Sequence, residues 1–297
     1  MTAPDSKTGL VMEGGAMRGM FTCGVLDVFM EQCIRFEGAA GVSAGAVFGC
    51  NYKSRQPGRA LRYNKKYCRD PRYCSIRSWI TTGDLYGADF CYRELPDVLD
   101  PFDRETFRDD PMEFYIVASD VRTGEAVCHR CSDGGEEDIL WMRASASMPV
   151  VSRPVRIKEQ LLLDGGIVDS VPYSWLEKNG YARTVIILTQ PEGYEKKKSP
   201  FLPLMDLALR RYPKIVAAMD IRHERYNQQM REIREREQDG RAFVIRPAED
   251  LKISRNEKDP DELERVYRTG RREAMRRLDE MKDFLARKAA CCTKNML

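Results

Sequence analysis

The chain has 297 residues, of which 42% are hydrophobic and 32% charged, and 49 Lys and Arg against 46 Asp and Glu leave a net charge of +3. A chain of this size buries about three quarters of its unfolded surface, so it needs no metal or disulfide to hold a core, and the composition excludes disordered and collagen-like classes. Near-balanced charge argues against a nucleic-acid partner, and no apolar run reaches the roughly 18–20 residues of a membrane span.

Met1 to Thr8 is polar and reads as no signal peptide, so the expected location is cytoplasmic. Gly9 to Met12 is a first predicted strand, broken by Glu13-Gly14-Gly15-Ala16-Met17-Arg18-Gly19. A helix follows, with Phe21, Val25, Val28 and Phe29 on one face. Ile34 to Ala40 reads as a second strand, ending at Gly41-Val42-Ser43-Ala44-Gly45. Glu113 to Ala118 and Thr184 to Leu188 are continuous apolar runs, as strands buried on both faces tend to be. Val155 to Ile157 and Leu161 to Leu163 form a predicted hairpin that runs into Asp164-Gly165-Gly166. This alternation over residues 9–190 is the pattern of a mostly parallel sheet covered by helices.

After Pro191 the composition changes. Lys196-Lys197-Lys198 and Pro200 mark a surface loop, and long charged helices are predicted over about 201–238 and 260–288. Between them Ala242 to Pro247 reads as a strand that joins the main sheet. Residues 191–297 are therefore expected as a mostly helical region packed on the same domain. The ten cysteines are scattered through helices, a loop and the tail, so they read as free thiols. Cys128-His129-Arg130-Cys131 has the spacing of a zinc half-site but lacks a companion pair, so no metal is expected. Cys291 and Cys292 are not fourth from the end, so the tail is not a prenylation signal.

Three glycine-bearing turns carry the chemistry. Gly41 to Gly45 fits G-x-S-x-G between a strand and a helix, a turn that lifts the Ser43 hydroxyl above the sheet. Gly14 to Gly19 is also a strand-to-helix turn, whose amides are unencumbered enough to converge on an oxyanion. Gly14 and Ser43 are 29 residues apart, about one βαβ unit, which brings both turns to the same carboxyl edge. A dinucleotide fingerprint is the competing reading, with Glu37 near the ribose-binding offset. Ala16 breaks that pattern where the backbone must approach a pyrophosphate. No Walker sequence is present, so no cofactor is expected. Asp164-Gly165-Gly166 follows a strand end, where a carboxylate could take a hydroxyl proton. The two histidines supply a Ser-His-Asp triad poorly: His223 lies in a charged, solvated helical run and His129 follows a strand. A direct Ser43–Asp164 dyad is the economical reading.

Taken in order, Gly14 to Gly19, Gly41 to Gly45 and Asp164 to Gly166 resemble the three blocks of the patatin-like phospholipases. Ala118-Ser119-Asp120-Val121-Arg122-Thr123-Gly124 and Ala144-Ser145-Ala146-Ser147-Met148-Pro149 are similar to that family too, and the resemblance covers roughly residues 9–190. Tyr267-Arg268-Thr269-Gly270-Arg271 resembles the bacterial branch. The one departure is Ala16, where many members have glycine. The resemblance implies a three-layer α/β/α hydrolase without cofactor, with Ser43 as nucleophile and Asp164 as general base. It implies an oxyanion hole from the amides of Gly14, Gly15 and Ala16, with Arg18 helping to hold that loop. Gly19, Gly41, Gly45, Gly165 and Gly166 would support the turns, and Ser145 and Ser147 would be packing residues. The implied reaction is hydrolysis of lipid acyl esters.

Acyl transfer to an alcohol is an alternative, since it shares the acyl-enzyme. Another is a membrane-surface module with little chemistry, carried by Arg210-Arg211-Tyr212-Pro213-Lys214 and the Arg-rich helices after residue 220. Interspersed acids make those helices equally readable as a solvated face laced with ion pairs. The partners expected are a lipid or acyl ester and a peripheral membrane surface.

Overall fold

The computed structural model describes residues 7–287. Most of Met1 to Thr8, and the tail with Cys291 and Cys292, lie outside the described residues. Eight strands form one sheet: β1 (Lys7–Met12), β2 (Gly38–Val42), β3 (Glu113–Asp120), β4 (Ala126–Arg130), β5 (Val155–Ile157), β6 (Gln160–Asp164), β7 (Tyr181–Ile187) and β8 (Ala242–Ile245). The order is β5-β6-β3-β2-β1-β7-β8, with β4 also pairing β3. The pairs β1–β2, β2–β3, β1–β7 and β7–β8 are parallel, whereas β3–β4, β3–β6 and β5–β6 are antiparallel. The strand expected around Ala242 thus does join the sheet, as its edge beyond β7.

Among the described residues, twelve α-helices surround the sheet. The first seven are α1 (Gly19–Glu31), α2 (Ala44–Lys53), α3 (Arg59–Tyr67), α4 (Ile76–Thr82), α5 (Arg104–Asp109), α6 (Glu136–Ser145) and α7 (Tyr173–Lys178). The last five are α8 (Leu202–Leu209), α9 (Pro213–Asp220), α10 (Arg222–Gln238), α11 (Pro260–Arg276) and α12 (Leu278–Ala286). Alternation along the strands divides the core between the two faces. Leu10 and Met12 pack with α1, α2 and α11, while Val11 packs with Tyr173, Leu176, Tyr226 and Ile233 of α7 and α10. No helix among the described residues is long and apolar enough to cross a membrane.

Three expectations are corrected. Residues 34–37 are not strand. Ile34 donates to the Phe29 carbonyl at 2.9 Å and closes α1, so β2 begins only at Gly38. The long charged stretches are broken: 201–238 divides into α8, α9 and α10, and 260–288 bends at Arg277 between α11 and α12. Pro213 at the start of α9 lacks the amide that would carry α8 onward. The third concerns α1, which is buried from Gly19 through Phe29 instead of on one face. The second face is covered by α11, whose Gly270 lies so close that a Cβ there would stand 2.0 Å from the Phe21 carbonyl oxygen. A Cβ on Gly24 would likewise meet the Tyr267 carbonyl at 2.0 Å. Tyr267 donates to Asp27 at 2.6 Å and Arg271 holds Glu31 through two bonds of 2.8 Å. The Tyr267-to-Arg271 motif is therefore the docking face of α11.

Candidate active site

Sheet register brings the three turns together. Met12 lies beside Gly41, Val42 beside Val117, and Ala118 beside Asp164. Both parallel strands β1 and β2 therefore release the chain at the same carboxyl edge, and β6 ends level with them. Ser43 caps α2 at φ 53° and ψ −121°, a left-handed conformation that costs a non-glycine residue about 1–3 kcal/mol. The turn is that tight because its glycines permit it. A Cβ on Gly41 would come within 2.6 Å of the Gly45 carbonyl oxygen, and one on Gly45 within 2.3 Å of the Met12 carbonyl oxygen. The next loop is as close, since a Cβ on Gly14 would sit 3.0 Å from the Ser43 Cβ.

Asp164 is buried, at 2% exposure. Its Oδ1 accepts the Gly166 amide at 2.8 Å. Burial raises its pKa, and the Ser43 hydroxyl, the Arg222 charge, the Gly166 amide and the Lys196 charge oppose that rise. The Ser119 hydroxyl donates to the Asp164 carbonyl at 2.9 Å, and the Asp164 amide donates to the Ser147 carbonyl at 2.8 Å. A Cβ on Gly165 would lie 2.2 Å from the Val117 carbonyl oxygen. That glycine lets the turn press against β3.

Among the described residues, the amides of Gly14, Gly15 and Ala16 have no hydrogen-bond acceptor. The three residues are partly exposed. Ala16 adopts φ 50°, the conformation glycine would take without strain, which explains why the substitution is compatible with the loop. Arg18 bonds the loop through its amide, to the Gly15 carbonyl at 3.1 Å, and Gly19 packs against Ala44 and Phe48. The Arg18 guanidinium makes no hydrogen bond among the described residues, and its Nε is buried without a partner. Beneath the loop, buried Glu13 accepts from the Thr189 amide at 2.6 Å, the Thr189 hydroxyl at 3.1 Å and the Tyr226 hydroxyl at 2.8 Å.

Ser145 does more than fill space. Its hydroxyl accepts the Ser43 amide at 2.8 Å and donates to the Val117 carbonyl at 2.6 Å, anchoring the strained turn to β3. The small-residue helix end was visible in sequence, but its hydrogen-bond target lies 102 positions away. Lys196 and Arg222 were also missed, one read as part of a surface loop and the other as part of a solvated helix. The Lys196 ammonium sits 3.8 Å over the Tyr226 ring, and Arg222 Nε donates to the Gly166 carbonyl at 2.5 Å.

Among the described residues, neither histidine hydrogen-bonds Ser43 or Asp164. His129, on β4, bonds Asp138 at 2.7 Å and stacks on Trp141 with ring centroids 4.7 Å apart. His223 is partly buried, contrary to its expected solvation, and its Nδ1 has no partner. The His129, Cys131 and Asp138 ligand atoms lie within 4.8 Å of one another. The grouping takes in one cysteine of the half-site and an aspartate, and leaves Cys128 out. Asp138 Oδ2 already accepts the amides of Ser132, Asp133 and Gly134 at 2.8–3.1 Å, so the carboxylate organises the turn before α6.

An arrangement of a partly exposed serine on a strained turn, a buried carboxylate and a row of free amides is equipped for nucleophilic attack on a carbonyl carbon. Comparisons with known proteins agree in part of the chain. The uncharacterized protein YjjU of Escherichia coli (strain K12) is 30% identical over 194 residues, covering 62% of this chain and 52% of its own. An NTE family protein of Mycobacterium tuberculosis is 29% identical over 172 residues, covering 55% of this chain and 27% of its own. Neuropathy target esterase sws of Drosophila melanogaster is 27% identical over 190 residues, covering 60% and 12%. The chain thus spans about half the length of the first of these relatives and less of the others. VipD from Legionella pneumophila is a similar solved structure, with a TM-score of 0.44 and 12% identity over 94% of this chain and 67% of its own. Residues 212–286 match a domain of unknown function, DUF6363. The patatin-like phospholipase pattern matches residues 10–174, more than half of the chain, and the protein belongs to the patatin-like phospholipase family.

Proposed function

We propose that the protein is a serine hydrolase that cleaves acyl esters of lipids with Ser43 as nucleophile and Asp164 as general base. The observation that carries this reading is Ser43 held at φ 53° beside a buried carboxylate and the free amides of Gly14, Gly15 and Ala16. Ser43 Oγ attacks the ester carbonyl carbon as its proton passes to Asp164. The carbonyl oxygen becomes an oxyanion that the three amides stabilise, each such donor being worth about 3–4 kcal/mol of barrier. Collapse of this intermediate breaks the bond to the alcohol, which takes the proton from Asp164 and leaves acyl-Ser43. Water then attacks the acyl carbon, again giving its proton to Asp164, and the proton returns to Ser43 as the fatty acid departs. Burial raises the Asp164 pKa toward the working pH, which favours a carboxyl group that must both accept and return a proton.

Residues 9–190 and 191–297 act as one catalytic domain in this reading. Its support is that β8 extends the sheet and that α10 supplies Tyr226 to Glu13 and Arg222 to Gly166. Peripheral contact with a lipid surface is supported by exposed Ile76, Trp79 and Ile80 on α4 and Leu204 and Leu207 on α8. A fluorophosphonate probe tests the core of the proposal. It should label Ser43, mapped by peptide mass, and Ser43→Ala should lose the label while staying folded. Label persisting in that variant, or mapping to Ser145 or Ser147, refutes the assignment.

A further inference from the structure

Four cations gather around the dyad and outnumber the carboxylates that face them. Arg18 follows the Gly14–Ala16 loop, Arg222 reaches Gly166 beside Asp164, and Lys196 lies over Tyr226, whose hydroxyl touches Glu13. Arg255 stands exposed, in the segment between β8 and α11, close enough that its charge bears on both Lys196 and Arg222. None of the four is in an ion pair among the described residues, although pairs such as Arg59–Asp100, Arg271–Glu31 and Arg236–Glu177 stud the rest of the molecule. The carboxylates that face them are Asp164 and Glu13. Glu13 is fully engaged by Thr189 and Tyr226, so it offers little to a cation.

The cluster is built, not incidental. Lys196 is delivered by a loop that Asn227 pins to α10 through bonds of 2.8 and 3.0 Å to its amide and carbonyl. Arg18 Nε is buried without an acceptor, a costly state that a bound anion would relieve. Burial, followed by the Arg222 charge, depresses Lys196 to about 7, and a bound anion would favour its ammonium form.

We propose that Arg18, Lys196, Arg222 and Arg255 form an anion subsite, and that the lipid ester cleaved at Ser43 carries a phosphate with no compensating amine, as in a lysophosphatidate. The placement of the scissile ester rests on the hydrolase reading above; the anion subsite does not. Cations that outnumber the two facing carboxylates match a phosphomonoester, whereas the choline of a phosphatidylcholine would bring a further cation into the cluster. The acyl carbonyl and the phosphate of a lysophospholipid are separated by a glycerol unit, so one molecule can occupy both the dyad and the neighbouring subsite.

Binding and turnover test this separately. In Ser43→Ala, monomeric oleoyl-lysophosphatidate should bind at least tenfold more tightly than oleoyl-lysophosphatidylcholine, measured by calorimetry. Inorganic phosphate should bind far more weakly than the lysophosphatidate. In the active enzyme, the ratio of kcat/KM on lysophosphatidate to that on lysophosphatidylcholine should fall at least tenfold in Lys196→Gln and in Arg255→Gln, and Lys196→Arg should restore it. Arg255 is exposed, so its replacement does not endanger folding. Equal binding of the two lysolipids, or a ratio unmoved in both Gln variants, overturns the subsite. Phosphate binding as tightly as the lysolipid overturns the lipid assignment and leaves a free-anion site. Preferential binding without hydrolysis of any ester supports the subsite while removing the hydrolase reading.

Discussion

At the seam between α1 and α11, Gly24 and Gly270 let two helix backbones meet, and Asp27, Tyr267, Glu31 and Arg271 satisfy one another around the contact. At the carboxyl edge of the sheet, Gly41 and Gly45 instead let one backbone fold tightly enough to strain Ser43, while among the described residues the Gly14, Gly15 and Ala16 amides and the Arg18 Nε have no acceptor. The same residue types serve opposite ends. Around the seam, the shared hydrogen bonds and ion pair leave few unmet groups and favour stability. The edge holds unmet donors and unfavourable dihedrals, which oppose stability and prepare the site for a developing negative charge, while burial raises the carboxyl pKa in both regions, at Asp164 and at Asp27. A substitution should therefore act on activity or stability according to which region it touches.

The largest effect is expected at the edge, from Asp164→Asn. Removing a general base costs about 10²–10⁴ in kcat, and the closely sized side chain can keep its acceptor for the Gly166 amide. The stability effect has the opposite sign. The folded pKa of Asp164 lies above its unfolded value of about 3.9, so its contribution is most favourable below that value and is lost as pH rises through the folded pKa. As pH rises the native enzyme bears that loss and the asparagine does not. Tm of the variant should therefore exceed that of the native protein at pH 7, with the gap narrowing as pH falls toward 4. A variant that is less stable at pH 7 would show that the carboxylate supports this edge.

Gly270→Val should do the reverse. Its Cβ must displace the Phe21 backbone, and overpacking of this kind costs about 3 kcal/mol. Urea denaturation should show the unfolding free energy falling by that amount, while kcat per folded molecule at low temperature stays near the native value. A matching loss of kcat would mean that the seam transmits to the site through α1, and the division between regions would fail.

The smallest effect sharpens the division within the edge itself. Ala16→Gly relieves a left-handed alanine costing about 1–2 kcal/mol but adds about 0.5–1 kcal/mol of glycine entropy. The expected gain in unfolding free energy is below about 1 kcal/mol, with kcat within a few fold. A large fall in kcat would show that the alanine methyl, by stiffening the loop, aims the amides.

Much of the site was legible because its chemistry is local. Strand-to-helix turns need glycine where backbones nearly touch, so Gly14, Gly41, Gly45 and Gly165 announce the bends, and the βαβ spacing announces that Ser43 and the Gly14 loop share an edge. Continuous apolar runs likewise located β3 and β7, since strands covered on both faces have no polar side to show. Four features were not legible, and each depends on what packs where. β2 begins at Gly38 because parallel pairing with β1 and β3, not its own Gly-Ala-Ala-Gly sequence, makes it a strand. α1 is buried all round because α11, some 240 positions later, covers its second face. Ser145 reaches Ser43 only through the sheet. Lys196 and Arg222 sit among ordinary surface charges in sequence, and become neighbours of Asp164 only when the 191–200 loop and α10 fold back over the sheet edge. Periodicity and glycine spacing record contacts a few residues long, so the sequence by itself determined the turns and the chemistry they carry. Which charges would face that chemistry, and which glycines would meet across helices, depended on contacts between distant segments, and only the tertiary structure decided them.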